Sequence, residues 1–326
     1  MPSGGQGPAK PPGGRLESTV RPSGSPGASH DPGAVPSGST GAYLGPPGTF
    51  TEEAFLACRR RLSAGGEGGR GGLPLAPAGL DCASVWEVAE AVSTGRADWG
   101  VVPLENSLEG SVALSLDALL SHADLRLVGE LVLPVRHALV ARPGVPLAGV
   151  QGVLSHPHAL AQCRRYLREN LGQVPLRPAA STAAAARTVA RSRRPLAAVA
   201  PARAAEIYGL AVLAADIQES PANVTRFGVL GKWDPEPTGH DKTSIAFSLL
   251  EDRPGGLHEA LGEFAGRGIN LTRIESRPAG DRLGHYVFFV DMEGHASDPP
   301  VAEALLALEP AVSWLRRLGS YPADLR

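Results

Sequence analysis

From Ala42 onward, short apolar runs alternate with segments of helical spacing, and the junctions carry Ser, Thr, Gly or Pro. This alternation constrains the fold most, because strands followed by short helices build layered α/β domains. Residues 42–44 lead through Gly45-Pro46-Pro47-Gly48 into Thr49-Phe50-Thr51-Glu52. That string reads as a strand, a tight turn and a helix opened by a Thr49…Glu52 capping box. Residues 149–154 read as a strand, Ser155 as an N-cap and 159–171 as a helix. Residues 178–180 precede Ser181-Thr182 and an Ala-rich helix over 183–194. A strand over 196–200 runs through Pro201 into a helix over 202–208, closed by Gly209 as a C′ glycine. The pattern predicts an α/β domain with mostly parallel sheet.

With 326 residues, the chain has room for about two domains at ~150 residues each. Lys+Arg 31 against Asp+Glu 33 leaves a net charge of −2, which argues against nucleic acid or an anionic membrane as partner. No stretch approaches the ~20 apolar residues of a membrane span. Residues 1–40 hold 24 Gly, Pro or Ser, with Leu16, Val20 and Val35 as their only branched aliphatic side chains. Such a tail cannot bury enough apolar surface to offset its ordering entropy, so it is predicted to be disordered; it also lacks the apolar run of a secretory signal. Cys58, Cys82 and Cys163 are odd in number and show no CxxC spacing. A disulfide scaffold and a thiolate zinc site are not expected, and a cytoplasmic location is.

Residues 64–79 read as a flexible loop. Gly66, Gly68 and Gly71 formally match a dinucleotide fingerprint, but they follow a helix tail and run into Leu73-Pro74-Leu75 where a helix should begin. After the region 41–230, residues 231–241 form a polar linker. Residues 242–321 then show the order βαββαβ: strands at 243–250, 269–277, 285–291 and 312–318, and helices at 255–266 and 300–308. This is a ferredoxin-like unit, and such small sheets commonly pair, so a dimer is expected.

Helix N-termini concentrate free N–H groups and positive dipole, and the first domain repeats strand–Ser/Thr–helix junctions. Two polar strings follow no helical or strand logic: Pro103 to Ser111 and Asn223-Val224-Thr225-Arg226-Phe227. Ligands of open α/β sheets gather at the carboxyl ends of strands, so a small anion held by hydroxyls, amides and backbone N–H groups is the implied ligand. Capping alone also accounts for each Ser or Thr. Glu105 and Glu109 suit a solvated face, His156 and His158 lack a third metal ligand, and the Arg runs at 59–61, 164–165 and 191–194 suit solvated helices. No nucleophile–base set declares itself. The residues alone lead to a small-anion α/β domain with an attached ferredoxin-like module.

Several strings together resemble the prephenate dehydratases. Tyr43-Leu44-Gly45-Pro46-Pro47-Gly48-Thr49-Phe50-Thr51-Glu52 is similar to the opening of that family. Gly100-Val101-Val102-Pro103-Leu104-Glu105-Asn106-Ser107 resembles a second signature, and Ser155-His156-Pro157-His158-Ala159-Leu160-Ala161-Gln162-Cys163 a third. Residues 198–210 and Thr225-Arg226-Phe227 follow in family order. The C-terminal unit resembles an ACT domain through Gly255-Gly256-Leu257 and Glu275-Ser276-Arg277-Pro278.

The resemblance implies a two-lobed, periplasmic-binding-protein-like catalytic domain followed by the ACT domain, with no metal and no cofactor. It implies conversion of prephenate to phenylpyruvate, water and carbon dioxide in phenylalanine biosynthesis. Arogenate dehydration and an amino-acid-sensing binding protein are the alternatives. Thr225 would donate to the leaving hydroxyl, with Asn106, Ser155 and Gln162 beside it. Thr49, Ser107, Thr182, Arg226 and Phe227 would contact substrate, although Arg226 equally suits a structural ion pair and Phe227 a packed wall. Phenylalanine would bind as effector near Gly256, Leu257, Asn270, Leu271, Glu275 and Ser276 of a homodimer or homotetramer. His158 stands where the family commonly has Gln, and Gly256 where it has Ala.

Overall fold

A computed structural model of the protein describes residues 39–64, 79–280 and 284–324. The expected tail and most of the 64–79 loop, Gly66, Gly68 and Gly71 included, lie outside the described residues. The first lobe contains β1 (Gly41–Leu44), α1 (Phe50–Ala64), β2 (Leu80–Cys82), α2 (Val85–Ser93), β3 (Trp99–Asn106), β4 (Gly110–Ser111), α3 (Ala113–Ser121) and β5 (Arg126–Pro134). The second lobe contains β6 (Ala138–Ala141), β7 (Val153–Ser155), α4 (Pro157–Gln162), α5 (Arg164–Leu171), β8 (Leu176–Pro178), α6 (Thr182–Arg191), β9 (Ala197–Ala200), α7 (Ala202–Tyr208) and β10 (Ala211–Ala214). The chain then returns to the first lobe as β11 (Val224–Gly231). Two crossovers, near residues 135–137 and 215–223, therefore join the lobes.

The first sheet runs β2-β1-β3-β11-β5 and the second β10-β6-β9-β7-β8. Neither is mostly parallel, which corrects the sequence expectation. β11 enters the first sheet antiparallel to both β3 and β5, and β6 lies antiparallel to β9 and β10. A strand that crosses between lobes arrives from the far end of the sheet, and its direction is set by that path rather than by its own residues.

Local chemistry explains most element starts. Thr49 Oγ1 accepts from Glu52 N at 3.2 Å, while the Glu52 carboxylate accepts from Gly48 N rather than from Thr49. Ser181 caps α6 by accepting from Ala184 N, and Gly209 ends α7 at φ 65 in the left-handed region. Ser155 is not an N-cap; it ends β7, and His156 occupies the cap of α4. The expected single helix over 159–171 is broken at Cys163 into α4 and α5. Of the stretch expected as a strand over 149–154, Gly149 ends a 3-10 turn that begins at Leu147, and β7 starts only at Val153.

The third unit comprises β12 (Asp241–Leu249), α8 (Gly256–Ala265), β13 (Leu271–Pro278), β14 (Tyr286–Glu293), α9 (Pro299–Leu308) and β15 (Val312–Pro322). Its antiparallel sheet runs β13-β14-β12-β15, the expected βαββαβ fold. One face packs on α8 and α9 through Phe247, Phe264, Val290 and Leu308. The other face meets the first lobe, where Ala246, Val287, Phe289 and Leu318 enclose Leu116 of α3. A Cβ on Gly319 would lie 2.0 Å from the Leu127 carbonyl of β5, so only glycine lets β15 approach so closely. Among the described residues, no helix is long and apolar enough to cross a membrane.

Candidate active site

An open cavity of about 240 Å³ lies between the lobes. Phe50, Asn106, Glu109 and Thr225 line it from the first lobe, His158, Gln162 and Thr182 from the second, and His137 from the first crossover. The lobes also touch through Glu52 and Arg203, 3.0 Å apart, and through Tyr208, whose hydroxyl donates to the Pro47 carbonyl at 2.7 Å.

A chain of side-chain amides crosses the floor. Thr225 and Asn106 are directly opposed on β11 and β3. The backbone N–H groups of Leu108 and Glu109 donate to Asn106 Oδ1 at 3.0 and 3.1 Å. Those N–H groups can only donate, so they fix which end of the Asn106 amide is oxygen. The two hydrogens on Asn106 Nδ2 are therefore shared among three acceptors, Asn223 Oδ1 at 2.8 Å, the Val224 carbonyl at 3.1 Å and Thr225 Oγ1 at 2.9 Å. Asn223, 1% exposed, passes the polarity on, since its Nδ2 donates to Gln162 Oε1 at 3.0 Å. Gln162 Nε2 in turn donates to Glu109 Oε1 across the cleft at 3.2 Å. The other Glu109 oxygen lies 3.2 Å from His158 Nδ1.

This polarity has a chemical consequence. An amide nitrogen cannot accept a proton, so Asn106 uses only a lone pair of Thr225. Among the described residues nothing accepts the Thr225 proton, and the hydroxyl can donate into the cavity.

Burial shifts two imidazoles. It holds His137 below the usual histidine range, although the Gln162 side chain opposes the shift. It also lowers His156, aided by repulsion from His158. No lysine or arginine lines the cavity among the described residues. The ten-residue α6 opens at Thr182 on the cavity wall and offers N–H groups and the positive end of its dipole to an anion.

Two family models match the chain: "Prephenate dehydratase" over residues 42–235 and "ACT domain" over residues 243–310. The chain belongs to the prephenate dehydratase family. A "Prephenate dehydratase" of Mycolicibacterium vanbaalenii is 44% identical over 285 residues, covering 86% of this chain and 90% of that one. The crystal structure of an Arthrobacter aurescens prephenate dehydratase in complex with L-Phe superposes with TM-score 0.76 at 43% identity, covering 87% of this chain and 90% of that one. GqqA, described as a novel type of quorum quenching acylase, superposes with TM-score 0.75 at 34% identity, covering 87% of this chain and 98% of that one.

Within this prephenate dehydratase fold the predicted site residues divide. Thr225, Asn106, Gln162 and Thr182 meet at the cavity. Ser155 lies beneath it, fully buried, and its hydroxyl donates to the Val199 carbonyl at 2.6 Å. Thr49 is spent on the first turn of α1 and on the Leu44 carbonyl, and its neighbour Phe50 lines the cavity instead. Ser107 donates to the Ala222 carbonyl at 3.1 Å, tying the turn after β3 to the second crossover. Phe227 belongs to the first-lobe core with Phe55 and Trp99. Arg226 points away from the cleft and donates to Asp291 at 2.6 Å. His137 and Asn223 are functional candidates that the sequence did not single out as site residues.

The predicted effector residues are split within one chain. Gly256 and Leu257 begin α8, beyond the end of β12. Asn270 sits at the opposite end of the sheet, donating to Glu293 at 3.1 Å, and Leu271 pairs with Met292. Glu275 is ion-paired with Arg273 on the edge strand, and Ser276 beside it is exposed.

Proposed function

We propose that the cleft binds prephenate and converts it to phenylpyruvate, water and carbon dioxide, as a carbon–oxygen lyase of phenylalanine biosynthesis. Loss of the ring carboxylate as carbon dioxide supplies the electron pair that expels the ring hydroxyl, and aromatisation drives both. The protein must hold a dianion, steady the departing oxygen and leave the departing carboxylate unquenched. Thr225 donates the hydrogen bond that steadies that oxygen as it leaves, and solvent supplies the proton that completes the water, since a threonine hydroxyl is too weak an acid to part with its own; the carrying observation is the Asn106 amide, whose nitrogen faces Thr225 Oγ1 and leaves the hydroxyl hydrogen free to donate. Uncharged donors aimed at developing charge cost little reorganisation. Thr182 and the first turn of α6 suit a substrate carboxylate, and Gln162 reaches the substrate from the second lobe.

The acylase described for GqqA calls for a nucleophile beside a base. Here the Ser155 and Ser107 hydroxyls are engaged by backbone carbonyls, Ser181 caps α6, and Thr225 Oγ1 lies against the Asn106 amide rather than a histidine, which favours the dehydratase reading.

Phenylalanine is the proposed effector, by analogy with the L-Phe complex of the Arthrobacter aurescens relative. A pocket that uses both Gly256 and Asn270 needs two chains, which supports a homodimer or a tetramer built from it. A cytoplasmic location follows from the biosynthetic role. Phenylpyruvate release from prephenate, compared with phenylalanine release from arogenate by kcat/KM, tests the proposal. Preference for prephenate is expected, and folded protein that turns over neither substrate contradicts it. Millimolar phenylalanine should change rate or oligomer size.

A further inference from the structure

His137 sits where the first crossover enters the second lobe. Its backbone is clamped to the second crossover: its N–H donates to Gln218 Oε1 at 2.8 Å, and its carbonyl accepts from Ile217 N at 2.9 Å. Its ring is 3% exposed and packs edge-on against Phe50 at 5.4 Å. Nε2 lies 2.9 Å from Gln162 Oε1. The tautomer follows from the amide chain. Two backbone N–H groups orient Asn106, Asn106 orients Asn223, and Asn223 places the oxygen of Gln162 opposite His137. An oxygen there can only accept, so Nε2 must carry the proton. Nδ1 is buried with no hydrogen-bond partner among the described residues. A second proton would be stranded on it, which keeps the ring neutral.

We propose that His137 is a positioning residue for the reaction, its Nε2–H pinning the Gln162 oxygen so that the Gln162 NH₂ faces Glu109 and the cleft. Without His137, Asn223 Nδ2 alone holds that oxygen, and an amide held by one donor rotates by half a turn more readily than one held by two. Such a rotation would present oxygen to the Glu109 carboxylate and break the donor sequence that runs through Asn223 to Asn106. His137 touches no reacting atom; it acts through Gln162. The kinetic arm of the test rests on the dehydratase reading, whereas the spectroscopic arm does not.

Long-range proton–nitrogen correlation of ¹⁵N-histidine-labelled protein near pH 7 should give the Nε2–H tautomer for the signals that vanish in His137→Gln. An Nδ1–H tautomer or an imidazolium there overturns the proposal. His137→Leu keeps bulk and loses the donor, and should lower kcat/KM for prephenate by about 10- to 100-fold, as small misplacements do. His137→Gln can put an amide N–H near the Nε2 position and should recover most of that loss. Folded Leu and Gln variants with equal activity would contradict the pinning role. Should His137→Leu not fold, the tautomer of the wild-type protein still decides. If the wild type does not turn over prephenate, the dehydratase reading fails, and the tautomer is still measured.

Discussion

The two faces of the β3–β11 pair are built from opposite materials. On the cleft face, Asn106 and Thr225 belong to a chain of neutral amides and a hydroxyl. One residue along, Glu105 and Arg226 are also directly opposed, but this face turns to the ACT domain and is densely charged. Arg226 meets Asp291 at 2.6 Å and Glu130 at 3.4 Å, Lys242 meets Glu130 at 2.8 Å, and Arg273 lies near Asp291 and Glu105. Burial disfavours the Arg226 charge, yet Tyr321, Asp291 and Glu130 hold its pKa above the ordinary arginine value. Burial likewise disfavours the Asp291 carboxylate, but Arg226 and Arg273 keep it below the usual range. The contrast separates two tasks. Full charges clamp two domains, where each needs its partner, whereas the cleft relies on neutral donors whose direction is fixed.

Several measurements can break or sharpen this contrast. The largest effect on stability is expected at the charged face. Asp291→Ala takes from Arg226 its shortest ion pair, leaving Glu130 at 3.4 Å, and should cost about 3 kcal/mol in denaturant unfolding, while joint replacement of Arg226 and Asp291 by Met and Leu should recover part of it. Equal losses in the single and double variants would refute an ionic clamp. Next is Ser155→Ala beneath the cleft, which should cost about 1–3 kcal/mol through the orphaned Val199 carbonyl and leave KM nearly unchanged. A large rise in KM would return Ser155 to the substrate.

Acid should act through the buried imidazoles. His137 and His156 are lowered in the folded protein, so the unfolded chain binds their protons more readily. Stability is full above the unfolded histidine pKa of about 6.5 and falls as pH drops through the folded values. Melting temperature should decline from pH 7 to 5, and His137→Gln should flatten part of that decline; an unaltered slope would contradict the assignment. Smallest is the latch at the cleft mouth. His158 and Glu109 are both more than a third exposed, so His158→Gln should change stability by no more than about 1 kcal/mol.

Much of this was legible in the residues. Ser181 and Gly209 mark helix ends because capping chemistry is local, and the βαββαβ order is visible in short-range periodicity. Thr225, Asn106 and Gln162, which the family strings name, and Thr182, at a strand–Ser/Thr–helix junction, line the cavity. Arg226 shows why a motif is not yet a site, since a motif names a stretch and a strand then sends alternate side chains to opposite faces. Thr225, Phe227 and Val229 share one face, of which only the end reaches the cleft, and Arg226 faces away. Strand direction in the sheets and the orientation of His137 depend on the two crossovers, which no local pattern encodes.

The central claim is that the Asn106 amide leaves the Thr225 hydroxyl free to donate to the substrate. Asn106→Asp is nearly isosteric and keeps the acceptor for Leu108 and Glu109, but offers Thr225 an oxygen that captures its hydrogen bond. Prephenate turnover by folded Asn106→Asp and Thr225→Ala is the direct measurement. Both should fall by roughly 10²–10⁴-fold in kcat, the range for a positioned donor. Near wild-type turnover in either variant would contradict the account.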